Sequence, residues 1–212
     1  MTQAVRLDLD GLVAAIEARA GDPRMLVAVA GPPGAGKSTV ADALARRLNG
    51  SVAGRAAILP MDGYHYDDRV LDARGLRARK GAPDTFDVGG LAHMLGRLRQ
   101  DHEDEVAVPV FDRDLEIARA GARLIPRSVR IVIVEGNYLL LDRHPWSALA
   151  DSFDLTVLLA VPEPVLRERL TARWTGYALG PDAIAAKLDG NDLPNGRAVL
   201  TGSRPPDVVM DG

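Results

Sequence analysis

Apolar residues are concentrated in short runs along this chain, and the runs have the length of β-strands. Four of them, at 25–30, 56–61, 131–134 and 155–161, contain almost no polar residue, and a fifth strand is predicted at 208–210. Strands that are apolar on both sides must be covered on both sides, which is typical of parallel sheets. The pattern therefore predicts an α/β fold with a parallel five-stranded sheet flanked by helices on both faces.

Helical periodicity fills most of the intervals between these runs. At 9–20, for example, Leu12, Ile16 and Ala20 recur at helical spacing. The predicted helices cover 9–20, 37–48, 88–98, 164–177, 182–188 and 192–200, and 106–110 is a short extended piece. The interval 62–87 is polar and lacks this pattern. We therefore predict one domain over residues 1–212, with 62–87 as an inserted flap.

Composition limits the partners and the location that we expect. The chain has 212 residues, of which 47% are hydrophobic and 26% charged, so a packed globular core is expected. The net charge of -3 argues against a nucleic-acid partner, and the absence of cysteine excludes disulfides and thiolate metal sites. The first residues carry acids where a signal peptide is basic, and no apolar run approaches the ~20 residues of a membrane span. We expect a cytoplasmic protein without a membrane partner.

A glycine-rich turn links the run at 25–30 to the next predicted helix. Its sequence, GPPGAGKS from Gly31 to Ser38, fits the pattern G-x-x-x-x-G-K-[ST]. Glycines let backbone N–H groups point at phosphate oxygens, the lysine reaches the β and γ phosphates, and the serine hydroxyl can bind Mg²⁺. The motif predicts a P-loop NTPase fold that binds ATP and Mg²⁺. The predicted cofactor-binding residues are Gly31, Pro32, Pro33, Gly34, Ala35, Gly36, Lys37, Ser38 and Thr39.

Two carboxylates follow the second and third strands, and each precedes a glycine. Asp62 follows the run at 56–61, and Glu135 follows the run at 131–134. Ligands of an open parallel sheet bind beyond the carboxyl ends of its strands, where the glycine-rich turn also lies. Asp62 is thus predicted to accept a proton from a substrate hydroxyl or to orient that hydroxyl, with Lys37 as its catalytic partner on the phosphates. We predict a metal site formed by Ser38, Asp62 and Glu135, although Glu135 is also placed to contact substrate.

Several segments together resemble one family of kinases. They are GPPGAGKST, MDGYHYDDRVLDARGLRARKGAPDTFD, VPVFDR and IVIVEGNYLL. Their order resembles the superfamily of uridine kinase, phosphoribulokinase and bacterial type I pantothenate kinase. The chain most resembles small bacterial proteins of the nucleoside/nucleotide kinase family, also labelled fructose transport system kinase. These proteins also carry the segment NDLPN towards their ends, as at 191–195 here. The resemblance extends over about residues 9 to 210.

The resemblance implies ATP-dependent phosphorylation of a small hydroxyl compound. A sugar or related polyol is favoured as the acceptor, with pantothenate-like compounds and nucleosides left open, and a homodimer is suggested. The resemblance assigns the base role to Asp62 and implies that 62–87 is a substrate flap. Residues implied to lie near the acceptor are Tyr64, His65, Arg69, Lys80, Asp112 and Arg113. Ser203–Asp207 is implied to hold the adenine ring.

A lid over the transferring phosphoryl group is implied for about residues 165–190. Arg169 and Arg173 are four residues apart, so they share one face of the predicted helix and are candidates for catalytic cations. An ordinary solvated arginine face is the alternative interpretation. Further along, Asn191, Asp192 and Asn195 stand at the start of the last predicted helix, where such residues usually act as caps.

Other nucleotide-dependent functions have their own characteristic sequence motifs. A nucleotide-dependent regulatory switch or ATPase without a small-molecule acceptor is the main alternative to a kinase. The guanine motif N-K-x-D of GTPases and the L-S-G-G-Q signature of transporter ATPases are both absent from the chain. A nucleoside monophosphate kinase would need an arginine clamp for its phosphate acceptor and not a base such as Asp62.

Overall fold

The computed structural model describes residues 4–212; the first three residues of the predicted domain lie outside the described residues. The strands are β1 (Val5–Arg6), β2 (Met25–Ala30), β3 (Ala56–Pro60), β4 (Glu105–Asp112), β5 (Ile117–Pro126), β6 (Ile131–Gly136), β7 (Leu155–Ala160) and β8 (Val208–Asp211). The α-helices are α1 (Leu9–Arg19), α2 (Lys37–Ser51), α3 (Asp68–Ala73), α4 (Val88–Gln100), α5 (Glu163–Gly176), α6 (Pro181–Lys187) and α7 (Leu193–Gly202). The predicted strands and long helices are confirmed to within a few residues.

The main sheet is parallel throughout, with strand order β1-β8-β7-β2-β6-β3. It has six strands, so the prediction of five is wrong. The additional strand is β1, in which Val5 and Arg6 pair with Val208 and Val209 at the edge of the sheet. Both residues of β1 are exposed, so no apolar run marks this strand in the sequence.

Side chains of the central strands alternate between two apolar layers, as the period of a strand requires. Leu26, Ala28 and Ala30 of β2 face a core that contains α4 and the aromatic residues after β6. Val27 and Val29 face the other core, which contains α1, α2 and α5. Both faces of the sheet are therefore covered by helices, as the unbroken apolar runs predicted.

A β-hairpin lies beside the sheet, and only its first strand was predicted from the sequence. The extended piece at 106–110 belongs to β4, which pairs with β5 in antiparallel register. Most residues of β5 are exposed, and its sequence IARAGARLIP lacks the apolar alternation that marks a half-buried strand. The sequence pattern therefore could not identify β5.

The flap 62–87 is built from short elements. Residues 61–64, 77–79 and 83–85 form 3₁₀ turns, and α3 lies between the first two. The first turn packs against β4 so closely that a Cβ at Gly63 would lie 2.6 Å from the Pro109 carbonyl oxygen. Gly136 is equally constrained, because a Cβ there would collide with Met61. The glycines that follow Asp62 and Glu135 thus let β4, β6 and the turn after β3 approach one another.

The chain between β7 and β8 folds into three consecutive helices. The segment 188–192 between α6 and α7 is a π-helical turn, so these two helices run on without a loop. Asp192 makes no side-chain cap bond to α7, and Asn191 and Asn195 bond elsewhere, so the predicted capping role is wrong. None of the helices in residues 4–212 combines the length and apolar character that crossing a membrane requires.

Candidate active site

The glycine-rich turn lies at the carboxyl end of β2 and leads directly into α2. Gly34 and Gly36 adopt positive φ angles of 80° and 88°, a conformation that other residues rarely adopt. Helix α2 begins at Lys37 without a side-chain cap, which leaves its first N–H groups free for an anion. The Lys37 ammonium folds back and donates to the Pro32 carbonyl at 3.0 Å.

Two carboxylates reach this turn from the neighbouring strands. Glu135 is at the end of β6, and its register partner is Pro60 at the end of β3. The Ser38 hydroxyl donates to Glu135 Oε1 at 3.3 Å. Asp62 lies in the 3₁₀ turn after β3, where its Oδ2 accepts a hydrogen bond from Arg113 at 2.8 Å. The strand ends therefore bring Lys37, Ser38, Asp62 and Glu135 to one edge, as predicted.

The charges at this edge influence one another strongly. Burial raises the pKa of Glu135, and the negative charge of Asp62 raises that pKa further. Burial lowers the pKa of Lys37, which the negative charges of Glu135 and Asp62 partly oppose. Groups with perturbed pKa values in a cleft are typical of functional sites.

A cavity of about 1150 Å³ opens in front of the turn. That volume is ample for a nucleotide and a small second substrate. The predicted residues that line it are Pro33, Gly34, Gly36, Lys37, Ser38, Thr39, Asp62, His65, Lys80, Arg113, Glu135, Arg169 and Arg173. Gly31, Pro32 and Ala35 are buried behind the turn and do not line the cavity.

Three residues predicted near the acceptor lie away from the cavity lining. Tyr64 is only 8% exposed and belongs to the core, where burial raises the pKa of its hydroxyl. Arg69 is exposed on α3. Asp112 is at the end of β4, where it accepts bonds from two backbone N–H groups and from Arg119 at 3.1 Å. Its contacts shape the turn of the hairpin, which carries Arg113 to Asp62.

His65 and Lys80 are held in place by aromatic rings and acids. The His65 ring lies 4.0 Å from the ring of Phe86 and 4.7 Å from that of Phe111, and Nδ1 is 2.8 Å from the Asp62 carbonyl oxygen. Burial lowers the pKa of His65, which favours the neutral ring. The Lys80 ammonium bonds Asp68 at 2.7 Å and lies 5.2 Å from the centre of the Phe111 ring.

Arg169 and Arg173 lie on α5, next to the glycine-rich turn. A Cβ at Gly34 would be 3.0 Å from Cγ of Leu170, so this part of α5 packs directly on the turn. Trp174 donates to Asp192 at 2.7 Å and stacks under Lys187, whose ammonium is 4.5 Å from the ring centre. These contacts attach α5 to the π-helical turn, so Trp174 packs within the predicted lid region.

Sequence reasoning missed the contacts between the flap and the π-helical turn. Asn191 donates to the Lys80 carbonyl at 2.9 Å, and Asn195 donates to Asn191 at 3.1 Å. Arg79 donates to Asn195 at 3.4 Å and to the Gly190 carbonyl. The segment NDLPN was the available signal, but its partners lie more than a hundred residues earlier in the chain.

Ser203–Asp207, which the resemblance implies to hold the adenine ring, do not line the cavity in front of the glycine-rich turn. The next residue, Val208, pairs with Val157 of β7, which is itself the register partner of Val29 in β2, and Ser203 forms an isolated bridge with Leu141 in the chain after β6. Asp207 instead accepts two bonds from Thr156, at 2.8 Å and 2.7 Å. The segment therefore anchors β8 to β7, and its contact with the adenine ring stays a prediction.

Comparisons with known proteins agree with this geometry. A family model described as an AAA domain matches residues 27–178. A crystal structure of a "putative fructose transport system kinase" from Silicibacter sp. TM1040 is 40% identical, covers 96% of this chain and 98% of that one, and superposes with a TM-score of 0.89. The chain belongs to the P-loop kinases. As a member of that superfamily it is a phosphotransferase, and its kinase homologues imply that it binds ATP.

Curated relatives of this P-loop kinase align along most of their length. Uncharacterized protein YggC of Escherichia coli is 36% identical over 203 residues, which cover 94% of this chain and 83% of that protein. The "putative uridine kinase C227.14" of Schizosaccharomyces pombe is 32% identical, over 92% of this chain and 86% of that protein. The alignments thus include both the P-loop and the flap.

Proposed function

We propose that this P-loop kinase transfers the γ-phosphoryl group of Mg-ATP to a hydroxyl group of a small metabolite, with a sugar or related polyol as the favoured acceptor. The observation that carries the proposal is the position of Asp62, which lines the same cavity as Lys37 and Ser38 of the P-loop. A carboxylate opposite a phosphate cradle suits a reaction in which an alcohol loses its proton as it attacks phosphorus.

The residues at the strand ends fit a magnesium ion bound with ATP. Ser38 Oγ and Glu135 Oε1 are 3.3 Å apart, and both are oxygen ligands of the kind that Mg²⁺ prefers. Within residues 4–212 no group of three or more histidine, cysteine or acidic side chains could hold a metal by itself. Mg²⁺ usually keeps waters and phosphate oxygens and takes only one or two protein ligands, so this pair suffices. When bound, the ion would offset charge on the phosphate oxygens.

The remaining side chains have separate tasks in this proposal. Asp62 accepts the proton of the acceptor hydroxyl, and Arg113 orients the Asp62 carboxylate through their 2.8 Å contact. Lys37 binds the terminal phosphates of ATP, for which it must leave the Pro32 carbonyl. Arg169 and Arg173 offset negative charge on the transferring group and help to exclude water when the lid closes.

Two of the relatives are named as a putative fructose transport system kinase and a putative uridine kinase, and these names support a small hydroxyl compound as acceptor without selecting one. A panel of hydroxyl metabolites, assayed for acceptor-dependent release of ADP, tests the proposal. We expect at least one compound to accelerate ADP release with saturation. Steady ATP hydrolysis that no compound changes, together with recovery of a partner protein, would favour the regulatory switch.

A further inference from the structure

The cations that line the cavity from the flap and from the hairpin turn differ in how they are neutralised. Arg113 pairs with Asp62 at 2.8 Å, and Lys80 pairs with Asp68 at 2.7 Å. Arg77 also pairs with Asp68, at 2.7 Å. Each of these positive charges therefore has a carboxylate beside it.

Arg79 is different, because the hydrogen-bond partners of its guanidinium among the described residues are neutral oxygens. Its partners are the Gly190 carbonyl and the Asn195 side-chain oxygen, the latter at 3.4 Å. Over residues 4–212 no carboxylate pairs with Arg79, although the side chain is partly buried and lines the cavity. A partly buried cation without a counter-charge is costly, so such a residue is rarely placed without a purpose.

The π-helical turn is built to hold Arg79 in this state. An α-helical carbonyl at position 190 would normally accept from the N–H of residue 194, but residue 194 is proline and has none. The Gly190 carbonyl is thus available to the guanidinium. Asn195 is only 3% exposed and is fixed by its bond to Asn191. Two neutral acceptors orient the guanidinium, and neither of them neutralises its positive charge.

Arg79 is carried by a different segment from the arginines that the kinase proposal assigns to the transferring phosphoryl group. Arg169 and Arg173 are carried by α5, which packs on the P-loop. Arg79 is instead carried by the flap, directly beside Lys80 and in the segment that follows Asp62. Its charge therefore lies on the flap side of the cavity, which the kinase proposal assigns to the acceptor.

We propose that Arg79 binds an anionic group of the acceptor, a carboxylate or a phosphate, and that the substrate is consequently an acidic hydroxyl compound. A guanidinium presents parallel N–H donors that match either group in two-point contact. This inference rests on the proposed kinase function and specifies its substrate class. It narrows the sugar or polyol acceptor to a sugar acid or a sugar phosphate.

The test compares acceptors that share one carbon skeleton: a neutral sugar or polyol, its sugar acid and its monophosphate. Each is assayed for acceptor-dependent ADP release with Mg-ATP, using wild type, Arg79→Gln, Arg79→Lys and, as a control, Arg74→Gln. Arg74 lies on the same flap but outside the cavity, over the ring of Tyr66. Circular dichroism and ATP binding establish that each variant is folded.

We expect the sugar acid or the monophosphate to be the preferred acceptor. Whichever of the two accelerates ADP release identifies the anionic group that Arg79 binds. Arg79→Gln should raise the KM for that acceptor on the order of 10- to 100-fold, the value of lost hydrogen bonds to a charged group. Its kcat and its KM for ATP should stay within about twofold of wild type. Arg79→Lys should recover part of the loss, and Arg74→Gln should match wild type.

Two other results would overturn the inference, and they can be told apart. If the neutral compound is used as well as its charged counterparts, and Arg79→Gln changes no KM, Arg79 does not recognise an anion and the kinase proposal still stands. If none of the three forms of any carbon skeleton in the metabolite panel accelerates ADP release while ATP still binds, the kinase proposal is wrong, and so is this inference. If Arg79→Gln does not fold, the inference is tested by the wild-type enzyme alone, from its preference among the three acceptors.

Discussion

Replacement of Asp62 by asparagine removes a charge and a proton acceptor while keeping the size of the side chain. Asparagine can still accept a hydrogen bond from Arg113, which now contacts Asp62 Oδ2 at 2.8 Å. The variant should therefore keep the shape of the cavity. What it loses is the ability to take the proton of the attacking hydroxyl.

The structure separates the effect on rate from the effect on stability. A general base contributes roughly 10²–10⁴ in rate, or about 3–5 kcal/mol of transition-state free energy, so kcat should fall by that factor. The Asp62–Arg113 pair is 24% and 47% exposed, so its loss should cost only about 0–1 kcal/mol of folding stability. For a chain of this size that corresponds to a fall in Tm of no more than about 2–4 °C.

The assay combines steady-state kinetics, calorimetric ATP binding and a thermal melt on the same preparation. Arg113→Gln is the matched control, because it breaks the same ion pair but leaves the carboxylate in place. We expect Asp62→Asn to keep ATP affinity and lose turnover, and Arg113→Gln to lose less than about tenfold in kcat. Turnover of Asp62→Asn within about threefold of wild type would refute the base assignment. An equal loss in both variants would attribute the effect to the ion pair.

Other parts of the molecule give further predictions. Arg169→Ala and Arg173→Ala should keep ATP binding, and the one that reaches the phosphoryl group should lose ~10³-fold or more in kcat; wild-type turnover in both would contradict the lid assignment. Because burial lowers the pKa of His65 below the unfolded value of about 6.5, stability should be lost as pH falls below that value. The fall in Tm between about pH 7.5 and 5.5 should therefore be smaller in His65→Gln, and equal falls would exclude this linkage. Gly63→Ala, whose Cβ would lie 2.6 Å from a backbone oxygen, should lose about 1–3 kcal/mol in urea unfolding, whereas Gly96→Ala, with open space in α4, should not lose stability.

Local sequence signals predicted the phosphate-binding half of the site. The glycine pattern of the P-loop and the apolar runs before Asp62 and Glu135 are continuous in sequence, so they can be read without knowledge of the fold. The topology of a parallel sheet then brings the ends of neighbouring strands to one edge. This is why Lys37, Ser38 and both acids could be placed together in advance.

Signals that depend on distant partners could not be read in the same way. Tyr64 lies in the sequence between Asp62 and His65, which line the cavity, yet its own side chain is buried in the core. Asn195 looks like a helix cap in the sequence, but its oxygen accepts a bond from Arg79, 116 residues away. Within residues 4–212, β5 pairs with β4 alone and is mostly exposed, so its sequence lacks the apolar alternation that would mark it as a strand.

The destination of the γ-phosphoryl group tests the central claim most directly. ATP labelled in that group is incubated with the protein, Mg²⁺ and each acceptor class, and the labelled products are separated. The account predicts that the label appears in a phosphate ester of one acceptor, and that this product disappears with Asp62→Asn. Label recovered only as inorganic phosphate, at a rate that neither acceptors nor Asp62→Asn alter, would contradict it.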